Sequence, residues 1–574
     1  MAGSDTTQVL VVGGGPTGLL ASILLSKLAV HHILVERRGE TLRAPAAHVV
    51  NTRTMEIYRQ AGLDVDELYA LNTHPRARNI TWKGRLQDNA IGVFDAGANR
   101  DALMAQSKFS DQHTTNISQH RLEAYLKRQA EISEYANIRF GCEWLGFHGE
   151  DKQSSRVRET GGDENIIDYR FLLAADGAGS SVARALQIKK VGPDALATFL
   201  NLTCEVDLAA ASGDDESLLC WLLDPEVQGT IIVHDPHALS VYMRPLAVPY
   251  ESIDDYDDAR CERLLKAVFG HQPYKIRHKG IWQMTAQVAD RFRDGSVFLA
   301  GDAIHRFPPT GGLGLNTGVG DVHNLVWKLA VALQDELESD EIADLLDSYE
   351  LERRPVAQRN CDVSKRNNDK MIEVIRAVGL DPSKARQLHK VMNSTIVSAL
   401  PQALQDMVFA ALVRPVRSIL ARAQADDAEG EEIRRRVAQA IDNQQEHFSS
   451  LGLDLGYVYH QGCAVADNAD ETEGSEVSTY HETLGAGARL PQRSIADSEV
   501  AGSVHELLDY VGFTLLTAGA NGPPGNETFG LACKEIDIGA LTTVEGESVA
   551  SAIGMAEGSW ALVRPDGHVM AVGG

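Results

Sequence analysis

The pattern of hydrophobic and polar residues at the start of the chain predicts a strand, a helix and a second strand in quick succession. The apolar run QVLVV precedes a glycine-rich turn, the helical stretch PTGLLASILLSKLAV and the apolar run HHILV. A unit of about 30 residues with this order is the size of a βαβ unit, whose strands are parallel. Alternating strand and helix patterns continue to Ala185, which predicts an α/β fold.

Further along the chain the pattern changes several times. Residues 191–285 contain β-rich runs such as LNLTCEVDL and LSVYMRPL, and the strand-like run VFLA then resumes the first fold at residue 297. Helical periodicity extends from about residue 319 to 448, and the chain closes with a hairpin pattern, WALVRPDGHVMAVGG. These changes predict five segments: the two parts of a nucleotide-binding domain (1–190 and 286–360), an inserted β-sheet substrate domain (191–285), a helical connection (361–449) and a small C-terminal α/β domain (450–574).

Composition excludes several classes of partner. The net charge of −26 argues against binding to nucleic acid or to an anionic membrane. No apolar run reaches the roughly 18 residues of a membrane span, and the amino terminus lacks the pattern of a signal peptide. The seven cysteines are scattered without a CxxC spacing, which is typical of reduced residues in a cytoplasmic protein. We therefore expect a cytoplasmic protein with no metal site.

The turn after the first strand has the spacing of a dinucleotide-binding fingerprint. Gly13 permits the tight turn, Gly15 lets a pyrophosphate approach the backbone, and Gly18 allows the helix to pack closely on the strand. The start of the helix then faces the phosphates. Glu36 ends the second strand, where a carboxylate can hold ribose hydroxyls and would repel a 2′-phosphate. The fingerprint favours FAD or NAD over NADP, and by itself does not choose between the first two.

A second ligand loop lies about 290 residues after the fingerprint, in the sequence SVFLAGDAIHRFPPTGGLGLNTGVGDVHNLVWK. A strand-like run ends at Asp302, a loop rich in proline and glycine follows, and an amphipathic helix then begins. One carboxylate beside a glycine-lined loop suits a ligand that has hydroxyls and a flat polar ring. Together with the fingerprint, this loop predicts one FAD bound by distant parts of a single fold.

Three motifs carry a resemblance to a known family: GGGPTG at 13–18, DGAGSSVAR at 176–184 and GDAIHRFPPTGGLGLNTG at 301–318. The chain resembles the single-component (class A) flavoprotein aromatic hydroxylases, in particular their phenol and dichlorophenol hydroxylase branch. The resemblance is strong over about residues 8–360 and loose beyond. It implies a Rossmann-like FAD-binding fold with an inserted β-sheet substrate domain and a thioredoxin-like C-terminal domain. Cys533 stands alone there, so dithiol redox chemistry is excluded.

The same resemblance assigns roles in binding a tight FAD cofactor. It places Asp302 on a ribityl hydroxyl, Pro308 near the reactive carbon of the flavin, and Gln119 close to the flavin. Asp176 resembles a residue that contacts both FAD and the nicotinamide nucleotide. The backbone at 312–315 would meet the N1–C2=O edge of the ring, where a helix amino terminus stabilises negative charge. The expected FAD contacts are Gly13, Gly15, Gly18, Glu36, Arg37, Arg43, Gln119, Asp176, Asp302, Gly312, Leu313, Gly314 and Leu315.

Two positions depart from the pattern of the family. An arginine often stands two residues before the position of His48, where this chain has Ala46, and we expect Arg43 to reach the pyrophosphate instead. The arginine that usually ends the DG motif would stand at Ala183, and here Arg184 follows one place later. The choice between NADPH and NADH as transient co-substrate therefore stays open.

His48 is the candidate catalytic base. Hydroxylation by a flavin C4a-hydroperoxide, which the resemblance implies, is electrophilic, so a phenol with a pKa near 10 must lose its proton. A histidine with a pKa near 6.5 takes a proton at neutral pH, and His48 lies where phenol-hydroxylating relatives carry a polar base. Pro308 completes the predicted catalytic pair. The substrate contacts that we expect are His48, Trp221, His234, Tyr242, Arg244 and Pro308, with Arg244 available to pair with a substrate carboxylate.

These observations predict an FAD-dependent monooxygenase that uses NAD(P)H and O2 to hydroxylate a phenol, in the ortho position by resemblance, to a catechol. We expect a homodimer or a higher homo-oligomer. Three alternatives stay open: the same chemistry on a hydroxyphenyl acid or a polycyclic polyketide aromatic, a flavin oxidoreductase that does not hydroxylate, and a nucleotide-binding protein without catalysis.

Overall fold

The computed structural model describes residues 4–574 except 96–106, 215, 335–336, 464–475, 498–499 and 521–528. Its strands, in chain order, are β1 (Ser4–Val12), β2 (His32–Glu36), β3 (Val49–Val50), β4 (Asn79–Lys83), β5 (Ala90–Asp95), β6 (Thr115–Asn116), β7 (Ala136–Phe140), β8 (Glu143–Phe147), β9 (Ser154–Arg158), β10 (Glu164–Ala174), β11 (Lys190–Val191), β12 (Ala197–Val206), β13 (Ser217–Leu222), β14 (Gly229–Asp235), β15 (Leu239–Leu246), β16 (Tyr274–Met284), β17 (Gln287–Ala289), β18 (Arg293–Asp294), β19 (Val297–Leu299), β20 (His305–Arg306), β21 (Phe513–Thr517), β22 (Cys533–Asp537), β23 (Trp560–Val563) and β24 (Val569–Gly573).

The helices follow the same order along the chain. They are α1 (Pro16–Lys27), α2 (Thr52–Gln60), α3 (Val65–Ala70), α4 (Gln119–Ala130), α5 (Ser181–Ala185), α6 (Leu208–Ser212), α7 (Asp258–Phe269), α8 (Leu313–Ala332), α9 (Ser339–Val378), α10 (Pro382–Met392), α11 (Thr395–Ser398), α12 (Gln402–Ala423), α13 (Ala428–Asp442), α14 (Gln445–Phe448), α15 (Leu451–Leu455) and α16 (Val549–Ala552). None of the helices in the described ranges is both long and apolar enough to cross a membrane.

A mostly parallel sheet forms the centre of the nucleotide-binding part, with β18 and β9 joining it antiparallel. Its strand order is β18-β19-β10-β1-β2-β7, and β1 pairs in parallel with both β2 and β10. The apolar run 9–12 of β1 is buried, as expected for a strand covered on both faces. β19 joins β10 in parallel and delivers the Gly301-Asp302 turn to the same edge of the sheet as the glycine-rich turn after β1. The predicted α/β, Rossmann-like fold is confirmed.

A second sheet, ordered β16-β12-β15-β14-β13-β4-β5, forms the wall of the predicted substrate domain. One face packs on α7 in an apolar core that includes Leu200, Leu202 and Ile231. The opposite face is covered at its β4–β5 end by side chains of α9, α12 and α13, among them Val374, Leu420 and Val437. The rest of this second face carries His234 toward the nucleotide-binding part.

Two predicted segment limits differ from the structure. The sheet predicted for 191–285 also contains β4, which pairs with β13, and β5, which pairs with β4. Both strands precede β13 by more than 100 residues. Such long-range pairing closes an edge of the sheet and leaves no local signal. Helix α9 runs from Ser339 to Val378 without a break, so no boundary falls at residue 360.

The C-terminal segment contains a four-stranded sheet ordered β22-β21-β23-β24. β21 and β22 are parallel, whereas β21–β23 and the closing β23–β24 hairpin are antiparallel. The predicted hairpin is therefore present. Cys533 lies on β22, is exposed and has a free thiol. An apolar core of its own supports this sheet. Phe513, Leu515 and Leu562 belong instead to the core of the nucleotide-binding part, so the segment packs against that part.

Candidate active site

The turn after β1 leaves an open face above its central glycine. A Cβ at Gly13 would lie 2.3 Å from the carbonyl oxygen of Ala175, and one at Gly18 would lie 2.0 Å from the carbonyl oxygen of Gly13. By contrast, nothing lies within 4 Å of a Cβ built on Gly15, which is also the N-cap of α1 and offers no side chain to its N–H groups. The geometry is that of a pyrophosphate site, in which the phosphates lie on bare backbone at a helix start.

Glu36 lies beside this turn with both carboxylate oxygens engaged. Gly14 N–H donates to Oε2 at 2.7 Å, and the backbone and Nε of Arg38 both donate to Oε1 at 2.9 Å. Burial works against the charge of Glu36, but the hydrogen bonds from Arg38 and Gly14 outweigh it and lower the pKa of the carboxyl. The charged carboxylate of Glu36 therefore lies next to the glycine turn, where it can accept hydrogen bonds from ribose hydroxyls.

Two arginines that were predicted to bind the cofactor lie elsewhere. Arg37 is exposed because it follows Glu36 on the other side of the strand, and the next residue, Arg38, pairs with Glu36. The side chain of Arg43 is 83% exposed and pairs with Glu40, so it does not reach the pyrophosphate turn. Their contacts with the cofactor stay predictions.

The DG and GD motifs meet on either side of a lysine that the sequence analysis missed. Asp176 accepts hydrogen bonds from Ser181 N–H and Val182 N–H through Oδ2, while its buried Oδ1 has no partner. Lys190 Nζ donates to the carbonyl oxygen of Asp302 at 2.9 Å. Burial lowers the pKa of Lys190 to about 8 and raises that of Asp176. The carboxylate of Asp302 is exposed, where it can accept from a ligand hydroxyl.

The proline and glycine loop is held by two side chains, Ser364 from outside the motif and Asn316 from within it. Ser364 of α9 lies within hydrogen-bond distance of the carbonyl oxygens of Pro308 and Thr310, at 2.8 Å each. Asn316 donates to the carbonyl oxygens of Val49 and Gly312. These contacts fix the loop against the 47–50 segment.

The first turn of α8 presents uncapped N–H groups. Its N-cap, Gly312, has a left-handed backbone (φ +64°) and no side chain to accept from them. Leu313 is buried and Leu315 is half-buried, so the backbone of this turn, with Gly314 between them, forms the face beside Asp302. The positive end of a helix at this place suits the N1–C2=O edge of a reduced flavin.

Gln119 is engaged within the protein. Its Oε1 accepts from Ala47 N–H at 3.2 Å, and its Nε2 donates to Glu123 at 2.8 Å. The side chain therefore braces the 44–48 loop, and its predicted contact with the cofactor stays a prediction.

His48 lies between the start of α8 and the second sheet. The next residue, Val49, packs so closely on Gly312 that a Cβ there would lie 2.7 Å from the Cβ of Val49. The ring of His48 meets the ring of His234 edge-to-face, with 5.4 Å between centroids. Burial lowers the pKa of His48 to about 4, well under the value near 6.5 assumed from its type, so the imidazole is neutral at pH 7.

Of the four predicted substrate contacts in the second sheet, two point away from His48. Tyr242 packs in the core beneath α7 and donates to the carbonyl oxygen of Val227. Arg244 lies on the same face, where it donates to Tyr256 and to the carbonyl oxygen of Glu226. Both predictions are wrong, because the strand alternates faces and the sequence does not say which face is turned to the ligand.

The other two predicted contacts lie on the opposite face of the sheet. The ring of His234 contacts that of His48, and Trp221 is half-buried against the apolar side chains of α9, α12 and α13. Asn201 shares this face, and its buried Oδ1 has no partner. Within the described ranges, no group of three His, Cys, Asp or Glu side chains is arranged to hold a metal ion.

The site fits FAD by its own geometry. Pyrophosphate, ribose and flavin would each find a matching group: the open face over Gly15, the acceptor Glu36, the unpartnered Oδ1 of Asp176 and the bare start of α8. The supporting residues that sequence reasoning missed are Arg38, Lys190, Asn316 and Ser364. Two of them had a signal: Arg38 shares strand parity with Glu36, and Asn316 lies inside the motif at 301–318.

Comparison with known proteins agrees with this geometry. Residues 6–364 match the family model described as FAD binding domain. The chain is 26% identical over 591 residues to 2,4-dichlorophenol 6-monooxygenase of Cupriavidus pinatubonensis, covering 99% of this chain and 93% of that protein. It is 34% identical over 370 residues to a putative polyketide hydroxylase of Streptomyces coelicolor, covering 62% and 57% respectively.

A solved structure shows the same architecture at full length. The flavin-dependent monooxygenase PieE, in complex with FAD and substrate, superposes with a TM-score of 0.83 at 27% identity, covering 99% of this chain and 96% of that one. The family match covers more than half of the chain, and its range, residues 6–364, contains the three motifs that build the site. This chain therefore belongs to the FAD-binding domain family and is an FAD-dependent aromatic monooxygenase.

Proposed function

We propose that this protein hydroxylates a phenol with NAD(P)H and O2, and that His48 accepts the proton of the phenol. The observation that carries the proposal is the place of His48, one residue from the contact between Val49 and Gly312 and facing His234. Bound FAD supplies the electron transfer from NAD(P)H and the activation of O2. The chain's own residues hold that cofactor, exclude water and accept the proton of the phenol.

The charge state of His48 suits a proton acceptor. A neutral imidazole has one free lone pair, and burial keeps His48 neutral at pH 7 by lowering its pKa to about 4. A phenol with a pKa near 10 does not ionise beside it unaided. The phenolate that forms raises the pKa of His48 by its opposite charge, so the proton transfer and the ion pair arise together.

The names of full-length relatives support attack next to the phenol oxygen. Besides the dichlorophenol enzyme, the chain is 25% identical over 590 residues to phenol 2-monooxygenase of a Pseudomonas strain. Both names place the new hydroxyl ortho to the first. We propose the same regiochemistry here, which gives a catechol.

The test compares two histidine variants of the FAD-loaded enzyme. His48→Ala should lower phenol turnover by about 100-fold while FAD content stays normal, because general-base catalysis is worth about that much. His237→Ala is the matched control, since His237 is exposed and pairs only with Asp207 among the residues that the structure describes. Unchanged hydroxylation by the His48 variant between pH 6 and 8 would remove the base from the proposal. Running the assay with both NADPH and NADH identifies the reductant.

A polycyclic aromatic is the second candidate substrate. Asn201 on β12 and His234 on β14 lie on one face of the sheet, two strands apart. The residue of β14 that lies level with Asn201 is Thr230, four residues before His234. Strand spacings of about 4.8 Å and residue steps of about 3.3 Å put them roughly 15 Å apart, which several fused rings would span. The 34% identity to a putative polyketide hydroxylase also favours this candidate. NAD(P)H consumption stimulated by polycyclic phenols and not by simple ones would select it.

We also propose a cytoplasmic homodimer or higher homo-oligomer. Ile396, Leu404 and Met407 are exposed apolar side chains on the helical segment, at 77%, 44% and 68% exposure. The free thiols of all seven cysteines support a reducing compartment. Light scattering after gel filtration measures the mass of the assembly, and Met407→Glu should reduce it if this face is the contact.

A further inference from the structure

His234 stands at an irregularity in its strand. The β14–β15 ladder is regular from Thr230 to Val233, which pairs with Ser240, and then skips His234 before Asp235 pairs with Leu239. A bulge of this kind re-aims one side chain, and bulges are frequent beside active sites. The carbonyl oxygen of His234 accepts from Thr73 Oγ1 at 2.9 Å, which holds the bulged backbone in place.

Ser118 holds the ring of His234 instead of capping its own helix. A serine at the N-cap usually accepts a hydrogen bond from the first turn. Ser118 is the N-cap of α4, yet its side chain makes no such bond, and its Oγ lies 2.7 Å from His234 Nδ1. The contact with His234 thus takes the place of the cap bond.

The second nitrogen of His234 has no partner in the protein. Nε2 is buried and without a hydrogen bond, whereas buried polar atoms are nearly always satisfied. A phenylalanine of similar shape would avoid that cost, so packing alone does not account for an imidazole here. The neighbouring ring is that of His48, at 5.4 Å and nearly perpendicular.

We propose that Ser118 and His234 are positioning residues for His48, an inference that rests on the proposed role of His48. Ser118 Oγ accepts the Nδ1–H of His234, which leaves the Nε2 lone pair free to accept an N–H from His48. When the phenol O–H bond breaks, a new N–H bond forms on the far nitrogen of His48, and the resulting imidazolium is stabilised by His234, which stays neutral. Hydrogen bonds of this kind are often long without substrate and shorten when it binds.

The charges around the pair agree with this order of proton transfer. Burial and the neighbouring His48 and His120 hold the pKa of His234 well below its usual range. Burial and Arg121 also lower the pKa of His120 of α4. Within the described part of the chain these are the titratable groups that act on the pair, so His48 is the ring that receives the proton.

The test uses the FAD-loaded full chain and two phenols. The first phenol is un-ionised at the assay pH, and the second is a polyfluorinated phenol that is already ionised. Ser118→Ala and His234→Phe should each lower kcat for the first phenol by about tenfold and leave the second within twofold, with normal FAD content. The acid limb of kcat/KM should move to lower pH, since an unsupported imidazolium loses its proton more easily. Ser118→Thr keeps the acceptor oxygen and should restore turnover.

The other outcomes distinguish a failure of this inference from a failure of the proposed function. Ser252→Ala removes an exposed serine in the turn before α7 and is the control. If both phenols slow equally, the pair has only a packing role and the inference is wrong. If the Ser118 and His234 variants are normal while His48→Ala is slow, the inference is wrong and the function of His48 stands. If His48→Ala is also normal, the proposed function itself fails.

Discussion

Arg564 of the C-terminal segment donates two hydrogen bonds to Glu352 of α9, at 2.8 and 2.9 Å, and neither side chain is exposed. Lys328 of α8 donates to the same carboxylate at 2.7 Å. Burial opposes the charge of Glu352, but Arg564 and Lys328 lower its pKa to about 2. The C-terminal segment is thereby tied to the helix whose first turn faces the flavin site.

Removal of this arginine should destabilise the whole chain. Arg564→Met removes the positive charge that pairs with the buried carboxylates of Glu352 and Asp566. Breaking a buried ion pair costs about 3–5 kcal/mol. Urea denaturation of the FAD-loaded protein measures the loss in free energy of unfolding. Arg435→Met, which breaks an exposed pair with Glu432, is the control and should leave the denaturation midpoint unchanged. A loss below about 1 kcal/mol in the Arg564 variant would contradict the role given to this pair.

Gly312→Ala should weaken FAD binding. The backbone there is left-handed, which costs an L-residue about 1 kcal/mol, and the new methyl would press on Val49 beside His48. We expect the dissociation constant of FAD to rise by about tenfold, as measured by flavin fluorescence on addition to apoprotein. Gly161→Ala meets nothing closer than 3.9 Å and should bind FAD normally. Equal binding by both variants would show that the contact between Val49 and Gly312 does not shape the site.

Local motifs were predictable because their chemistry depends on neighbours in sequence. The glycine turn, the Gly301-Asp302 turn and the closing hairpin each follow from spacing within about 20 residues. Which face of a strand is turned to the core does not follow from such spacing. Tyr242 and Arg244 share one face by parity, but pairing with Leu202 and Leu200 in the core decided which face that is.

Long-range partners carried no sequence signal either. β4 and β5 join a sheet whose other strands follow more than 100 residues later, and Ser364 reaches the proline loop from α9, more than 50 residues further along the chain. His234 was singled out for its type alone, and the bulge that turns it to His48 appears only once β14 and β15 are paired. Contacts of this kind depend on tertiary register, which periodicity does not encode.

Acid should destabilise the protein partly through His32. Burial lowers the pKa of this histidine to about 4, while Ser22 and the carbonyl of Val30 satisfy the neutral ring. Between pH 6.5 and 4 the unfolded chain binds a proton there that the folded chain does not, so stability falls as the pH falls through this window. His32→Asn should reduce the loss of unfolding free energy between pH 7 and pH 5 by about 2 kcal/mol, measured by urea denaturation at each pH. His237→Asn, at an exposed position, should leave the pH dependence unchanged, and an identical slope for all three proteins would exclude His32 as a contributor.

Arg244 and Asn201 give opposite predictions because they lie on opposite faces of one sheet. Arg244→Met removes buried hydrogen bonds to Tyr256 and to the carbonyl oxygen of Glu226, so it should lower the free energy of unfolding by about 2–4 kcal/mol and leave KM for phenols unchanged. Asn201→Leu removes an unpartnered oxygen from the face that carries His234, so it should leave stability equal or higher and change KM.

Urea denaturation and steady-state kinetics on phenols with and without a carboxylate measure both effects. If Arg244→Met instead raised KM only for the carboxylated phenols at unchanged stability, the hydroxyphenyl acid would be the substrate and the assignment of the two faces would be wrong. With the guanidinium engaged beneath α7, we expect no preference for a carboxylate, because the pairing partner that such a preference requires faces the protein core.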